Sequence, residues 1–101
     1  MSITGNKYLV DFGMAKAILH IDNETSLTFT ITEKEGSAVN TSETVDIKLT
    51  ELRPELYLLT WQEKSGTTVT QVHDYENGIV YSNWTSTDGV FTNITGTIKQ
   101  I

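Results

Sequence analysis

The sequence predicts an all-β protein: a single domain built as an up-and-down barrel of about eight antiparallel strands. Two observations predict it. Apolar and polar residues alternate with a period of two, and turn-forming residues recur between the alternating runs. The length of 101 residues suits one domain, so residues 1–101 are taken as one unit. A barrel is favoured over a small two-sheet sandwich because closure removes exposed sheet edges.

Two runs show the alternation most clearly. The run LTFTIT, from Leu27 to Thr32, alternates apolar residues with threonine, and VDIKL, from Val45 to Leu49, alternates apolar with charged residues. This pattern is typical of strands with one buried face, and β-branched and aromatic residues dominate the runs. No helix of useful length and no internal repeat is predicted.

Turn signals between the apolar runs divide the chain into strands. Asn-Gly and Asp-Gly pairs are the strongest of them, because type I′ turns need positive φ at both central residues. The signals are Asp22-Asn23, Arg53-Pro54, Lys64-Ser65-Gly66, Asn77-Gly78 and Asp88-Gly89. The predicted strands lie near residues 7–12, 15–22, 25–33, 43–50, 55–63, 67–75, 79–85 and 90–99. Most connections are short, which predicts antiparallel neighbours. The polar segment from Glu33 to Glu43 is the exception, a candidate for a mobile flap over one end.

The loop at Lys64-Ser65-Gly66 decides which side chains face the interior. If Gly66 is left-handed in a three-residue loop, the facing pairs are Glu63 with Thr67, Trp61 with Val69, Leu59 with Gln71, and Tyr57 with His73. That face is largely apolar, so we take it as the interior. The same alternation points further side chains inward: Tyr8, Val10, Phe12, Ala15, Ala17, Leu19, Leu27, Phe29, Ile31, Glu43, Val45, Ile47 and Leu49. The small Ala15 and Ala17 leave room for a cavity.

The facing of the last two strands depends on loop length. A two-residue turn at Asn77-Gly78 places Val80, Ser82 and Trp84 inside the barrel. Continued through Asp88-Gly89, the alternation leaves an outer apolar band of Ile79, Tyr81, Val90, Ile94 and Ile98. Such a band indicates a subunit interface, so we expect a homodimer. A different loop length reverses the assignment.

Composition excludes several classes of function. The chain has 13 acidic and 7 basic residues, a formal charge of −6, and Arg53 is its one arginine. Nucleic acids and anionic membranes require clustered basic residues, so neither is an expected partner. The absence of cysteine excludes disulfides and thiolate metal sites. With no signal-peptide core or long apolar run, a cytoplasmic location is the default expectation.

The polar residues of TWQEKSGTTVTQVHDYENG, from Thr60 to Gly78, look like a catalytic cluster, but the predicted hairpin separates them. Tyr57 faces His73 and lies six residues from Glu63, on the order of 20 Å along a strand. Glu63 and His73 therefore cannot share a substrate atom. Alternation places His20 and His73 on opposite faces, so no metal site is predicted, and no motif for a cofactor or nucleophile is present.

Individual residues remain candidates for a binding site. Glu63 is the candidate catalytic residue, an inward carboxylate at a cavity mouth whose pKa is expected to rise through desolvation and the nearby Glu43. A solvated residue beside a turn is the alternative reading of Glu63. His73 is either a ligand contact or a wall residue bonded to Tyr57 or Ser82. The candidate ligand-binding residues are Tyr57, Trp61, Glu63, Gln71, His73, Phe29 and Trp84.

The run LRPELYLLTWQEKSGTTVTQVHDYENGIVYSN, from Leu52 to Asn83, resembles the MoaF-like proteins, small lipocalin-like (calycin) barrels. It shares an Arg-Pro turn, a Tyr-x-x-x-Trp strand, a Gly-Thr hairpin and an Asn-Gly turn with them. The resemblance implies a barrel able to hold a small organic molecule, in a family whose biochemical role is poorly defined.

The same hairpin is similar to that of the phenolic acid decarboxylases, in which a Trp-x-Glu before a Gly-Thr turn carries a catalytic glutamate. Trp61 and Glu63 match that pattern. That family also uses two tyrosines on the first strand and an arginine for the substrate carboxylate. The first strand here reads KYLVDFG, and Thr30 lies near the expected arginine, so this decarboxylation is not expected.

Three hypotheses follow. The leading one is a barrel that binds a small hydrophobic or aromatic molecule in its interior, with no cofactor. The second is a lyase or isomerase that uses Glu63 as general acid or base. The third is a non-catalytic module with a solid interior whose outer apolar band pairs two subunits.

Overall fold

A computed structural model describes residues 3–101, which form one closed barrel of eight strands. The strands are β1 (Lys7–Asp11), β2 (Ala15–Asn23), β3 (Ser26–Lys34), β4 (Ser37–Arg53), β5 (Leu56–Gln62), β6 (Thr68–Asp74), β7 (Ile79–Thr85) and β8 (Phe91–Gln100). Each strand pairs antiparallel with its neighbours in sequence, and β8 closes the barrel against β1. The predicted all-β, up-and-down barrel is confirmed. No segment of residues 3–101 is a helix long and apolar enough to span a bilayer.

The hairpin of β5 and β6 has the predicted register. Tyr57 pairs with His73 and Trp61 with Val69, and Gly66 has a φ of 95°. The backbone N–H of Gly66 donates to the carbonyl of Glu63 (2.8 Å), which closes the three-residue loop. Six of the eight inward side chains of this hairpin are buried, as the alternation predicts.

The segment from Glu33 to Glu43 is part of a β-hairpin and not an irregular connection, whereas its mobility stays a prediction. β3 runs to Lys34, a turn at Glu35-Gly36 reverses the chain, and β4 begins at Ser37. The paired part of β4 meets β5 only from Ile47 onward, so its first ten residues pair with β3 alone. Residues 30–44, at the far end of this hairpin, are all exposed or half-buried. Because the segment has no buried face, its strands lack the alternation of apolar and polar residues from which strands are predicted.

The facing of β7 is as predicted, but that of β8 is not. Val80 and Ser82 are fully buried, and Tyr81 is exposed. The connection to β8 spans residues 86–90, five residues rather than two, and pairs Thr85 with Phe91. This one-residue change of register turns Ile94 and Ile98 toward the interior, where Ile98 is buried.

The outer apolar band is therefore smaller than predicted. Tyr81, Val90 and Phe91 are the large apolar residues left exposed on this part of the described chain. The homodimer stays a prediction.

Candidate ligand-binding site

The barrel has two unlike ends. The open end carries the turns between β1 and β2, β3 and β4, β5 and β6, and β7 and β8. The closed end carries the other turns and residues 3–6, where Ile3 is buried in the core. A cavity of about 360 Å³ enters from the open end. Its lining residues are Val10, Phe12, Met14, Ala15, Lys16, Ala17, Leu19, Phe29, Ile31, Lys34, Trp61, Glu63, Thr67, Val69, Gln71, Trp84 and Ser86.

Two aromatic pairs stand in the cavity wall. The rings of Phe29 and Trp61 stack with centroids 6.5 Å apart, and Phe12 meets Trp84 edge-on at 6.3 Å. Trp61 and Trp84 both pair with Val69, on either side of β6, so the two tryptophans lie at one level of the barrel. Four aromatic rings therefore form part of the cavity wall, beside aliphatic side chains such as Leu19 and Ile31.

Gly96 of β8 makes room for one of these pairs. A β-carbon at Gly96 would collide with the backbone carbonyl of Asp11 and lie 2.7 Å from the ring of Phe12. A larger residue on β8 would therefore displace Phe12 from its contact with Trp84.

Glu63 lies at the mouth of the cavity. Its carboxylate accepts a long hydrogen bond from Trp61 Nε1 (3.4 Å). Desolvation and the charge of Glu43 raise the pKa of Glu63, and the bond from Trp61 opposes them in part. Glu43 in turn accepts a hydrogen bond from the backbone N–H of Lys64 (2.6 Å), which links the projecting part of β4 to the β5–β6 turn. The expected rise in the pKa of Glu63 and its expected causes are thus both found.

A buried polar chain begins at the floor of the cavity. Gln71 donates from Nε2 to Ser82 Oγ (3.1 Å) and accepts at Oε1 from His73 Nε2 (2.7 Å). Because an amide oxygen only accepts, His73 carries its proton on Nε2, and Nδ1 accepts from the hydroxyl of Tyr75 (2.8 Å). His73 is fully buried, and desolvation lowers its pKa to about 3. It is a neutral imidazole at ordinary pH.

The closed half of the interior is filled by tyrosines. The ring of Tyr75 lies 4.7 Å from that of Tyr8 and 5.8 Å from that of Tyr57. The hydroxyl of Tyr57 donates to Glu51 (3.0 Å), and burial raises the pKa of Tyr57 and of Tyr75. None of these three tyrosines lines the cavity.

The structure divides the residues singled out from the sequence. Phe29, Trp61, Glu63, Gln71 and Trp84 line the cavity.

The other two candidates, Tyr57 and His73, are absent from its lining. His73 is a wall residue bonded to Gln71 and Tyr75, not to the predicted Tyr57 or Ser82. As predicted, His73 and Glu63 are not brought together.

Sequence reasoning missed Tyr75, which lies in the four-residue connection between β6 and β7 and folds back over the closed end. An aromatic residue inside a polar turn is a weak sign of such a fold-back. Phe12 was predicted to face inward but not to line a site. Within residues 3–101, no group of three or more acidic or histidine side chains is arranged to hold a metal ion.

Comparisons with known proteins agree with the fold. A crystal structure of a Burkholderia vietnamiensis protein, provisionally described as a β-lactamase, superposes with a TM-score of 0.89. The alignment covers 100% of this chain and 97% of that one at 18% sequence identity, so the similarity shows the fold alone. No curated protein matches. The profile of the MoaF-like family matches residues 4–99, and the chain therefore belongs to the MoaF-like family.

Proposed function

We propose that this protein binds a small, mainly apolar molecule in the open half of the barrel. One observation carries the proposal: the interior is not filled, and a cavity of about 360 Å³ opens to solvent between aromatic walls. Ligand sites are concave, mostly apolar and furnished with a few polar groups. Glu63 at the mouth and Gln71 at the floor are such groups here.

The small side chains of β2 support a binding function for the cavity. Ala15 and Ala17 line the cavity on a strand whose next inward residues are the buried Leu19 and Ile21. A longer apolar residue at Ala17 would extend into the cavity. Packing alone favours such a residue, since filling a void stabilises a domain. A binding function accounts for the empty space.

The test is a screen of hydrophobic metabolites by native mass spectrometry and thermal shift. Ala17→Phe fills the cavity, and Ala38→Phe adds the same ring on exposed β4 as the matched control. We expect bound compounds to be lost from Ala17→Phe and retained by Ala38→Phe. Binding that survives in a correctly folded Ala17→Phe protein places the ligand elsewhere and overturns the proposal.

A second function, a lyase or isomerase reaction, is favoured by one observation. Glu63 is the only acidic side chain among the cavity-lining residues of the described chain, and its pKa is raised. A carboxylate at a half-buried mouth with a raised pKa suits general acid–base chemistry. Once a substrate is found, Glu63→Gln should fold normally and lose turnover. Equal turnover in the two proteins excludes Glu63 as the catalytic group.

The β-lactam chemistry named for the structural neighbour is not carried over. The 101-residue sequence contains no Ser-x-x-Lys motif, the arrangement that supplies the nucleophile in serine β-lactamases. We therefore base the proposal on the cavity and not on that description.

A further inference from the structure

We infer that the ligand is a flat aromatic molecule with a neutral hydrogen-bond acceptor at its inner end, received by the side-chain amide of Gln71. The inference rests on the proposed function and adds the ligand's chemical class. It also assigns a role to His73, which lies outside the cavity. Three features of the described residues carry it: the placement of the aromatic pairs, the bonding of Gln71, and the position of charge.

The two aromatic pairs face each other across the barrel. Phe29 of β3 and Trp61 of β5 flank β4, whereas Trp84 of β7 and Phe12, next to β1, flank β8. In the closed order of eight strands, β4 and β8 lie four strands apart, on opposite walls.

The other two walls carry no aromatic ring among the lining residues. They are β2 with Ala17 and β6 with Val69. The space between the rings is therefore a slot with aromatic rings on two sides and non-aromatic side chains on the other two. A flat ring system fits such a slot and presents its faces to the aromatic side chains.

Gln71 has one donor that no described residue uses. An amide nitrogen carries two N–H groups, and only one of them is bonded, to Ser82 Oγ. The amide oxygen accepts from His73, so the amide cannot turn over without breaking both bonds. Gln71 is 5% exposed and lines the floor of the cavity. Its second N–H is thus the donor available to a ligand atom that accepts.

His73 acts as the positioning residue for this donor. Its Nε2–H holds the oxygen of Gln71, and Tyr75 fixes the ring of His73 from the closed end. The amide of Gln71 is thereby oriented before any ligand enters. Preorganised donors favour a matching acceptor, because no side-chain ordering remains to be done on binding.

Charge is confined to the mouth of the cavity. Lys16, Lys34 and Glu63 line its outer part, and no charged side chain lines its floor. A carboxylate at the inner end would be buried beside Gln71 without a cation, which is costly. The inner acceptor is therefore a neutral group such as a ketone, an aldehyde or a ring nitrogen.

Three probes of matched size separate these requirements. 2-Acetylnaphthalene is flat and carries an acceptor, 2-isopropenylnaphthalene is flat without one, and 2-acetyldecahydronaphthalene carries the acceptor on a saturated frame. Binding is followed by quenching of Trp61 and Trp84, the two tryptophans of the chain. A shift of the Gln71 side-chain amide in a ¹H–¹⁵N spectrum reports the contact directly. We expect the acetylnaphthalene to bind about tenfold more tightly than either analogue.

Variants test the donor and its support. Gln71→Leu should abolish the preference for 2-acetylnaphthalene over 2-isopropenylnaphthalene, whereas Gln100→Leu, the same change on exposed β8, should keep it. His73→Leu should also abolish the preference. His73→Gln should restore it, because glutamine places an N–H where Nε2–H stands. A merely structural role of His73 would instead lower the affinity for both probes equally.

The outcomes separate the two proposals. If 2-isopropenylnaphthalene binds as tightly as 2-acetylnaphthalene, and Ala17→Phe abolishes both, the cavity binds ligands but the assignment of Gln71 is overturned. Equal binding of the saturated ketone overturns the flat slot in the same way. If no probe binds, the inference is overturned, and the proposed function is decided by the metabolite screen. If Ala17→Phe binds the probes as wild type does, the inference and the proposed function both fail. A Gln71 amide shift that is absent with bound 2-acetylnaphthalene also overturns the inference.

Discussion

The same strands form both halves of the barrel interior, but side chains fill the closed half and leave a cavity in the open half. In the closed half, Tyr8, Tyr57 and Tyr75 pack ring against ring, and His73 has both ring nitrogens bonded. In the open half, the alanines of β2 and the two aromatic pairs surround a cavity. We therefore expect the closed half to contribute more to the stability of this small domain, and the open half to carry the site.

Removing the same atoms from each half tests whether the closed half is more tightly packed than the open half. Leu59 is fully buried outside the cavity, and Leu19 is 3% exposed and lines it. Leu59→Ala should lower the free energy of unfolding by about 2–5 kcal/mol, because the packed surroundings cannot collapse around the void. Leu19→Ala should cost about 1–2 kcal/mol less, since it only enlarges an existing space. Urea denaturation of both variants measures this, and equal losses would show that the halves are equally packed.

Acid should act on the closed half through His73. Its pKa is about 3 in the folded protein and about 6.5 in an unfolded chain, so between these values the unfolded state binds the extra proton. Stability is therefore unaffected by His73 above pH 6.5 and falls as pH drops toward 3. The loss approaches 1.4 kcal/mol per pH unit well inside this window.

Denaturant titrations from pH 7 to pH 4 check the acid effect. His73→Gln, which cannot take up the proton, should lose stability less steeply over this range than wild type. His20→Gln alters the half-buried His20–Asp22 pair outside the barrel interior and serves as the control. An identical pH dependence for wild type and His73→Gln contradicts a buried neutral imidazole.

The closed half also shows which features of the fold can be predicted from the sequence and which cannot. Period-two alternation and the Gly66 loop predicted the strands and the β5–β6 register, because both depend on neighbours in sequence. The polar network could not be predicted, since it depends on Tyr75 folding back from a turn. The facing of β8 failed because five residues, not two, join it to β7. Strand parity follows from loop length, and loop length is poorly encoded by a single Asp-Gly pair.

The sequence predicted which strand faces form the wall of the candidate site, but not how far the cavity reaches along the barrel. Alternation placed five of the seven candidate residues on the cavity lining, since a barrel strand has only two faces. Alternation does not predict where along the barrel axis the cavity ends. Gln71 and His73 share a face, yet Gln71 meets the cavity and His73 does not. The boundary between the halves depends on which rings fill the closed end, and that is a property of packing.

Larger side chains should have opposite effects on stability in the two halves. Ala17→Leu places methyl groups into the cavity and should stabilise the fold by about 0.5–1 kcal/mol. Val80→Leu adds a methylene beside His73 at a fully buried position and should destabilise it by about 1–3 kcal/mol through overpacking. Urea melts of the two variants give the sign directly. Destabilisation by both additions would mean that the open half has no usable space.

The smallest effect should come from Glu63, because it lies at the boundary between the cavity and water. Its pKa in the folded protein is raised, so Glu63 favours the folded state at low pH and loses that contribution as pH rises through the raised value. Glu63→Gln removes this dependence and should change the free energy of unfolding at neutral pH by no more than about 0.5 kcal/mol. Thermal melts at pH 4 and pH 8 measure the change, with the exposed Glu24→Gln as control. A large loss of stability at neutral pH would instead make Glu63 part of the packed structure and remove it from the candidate site.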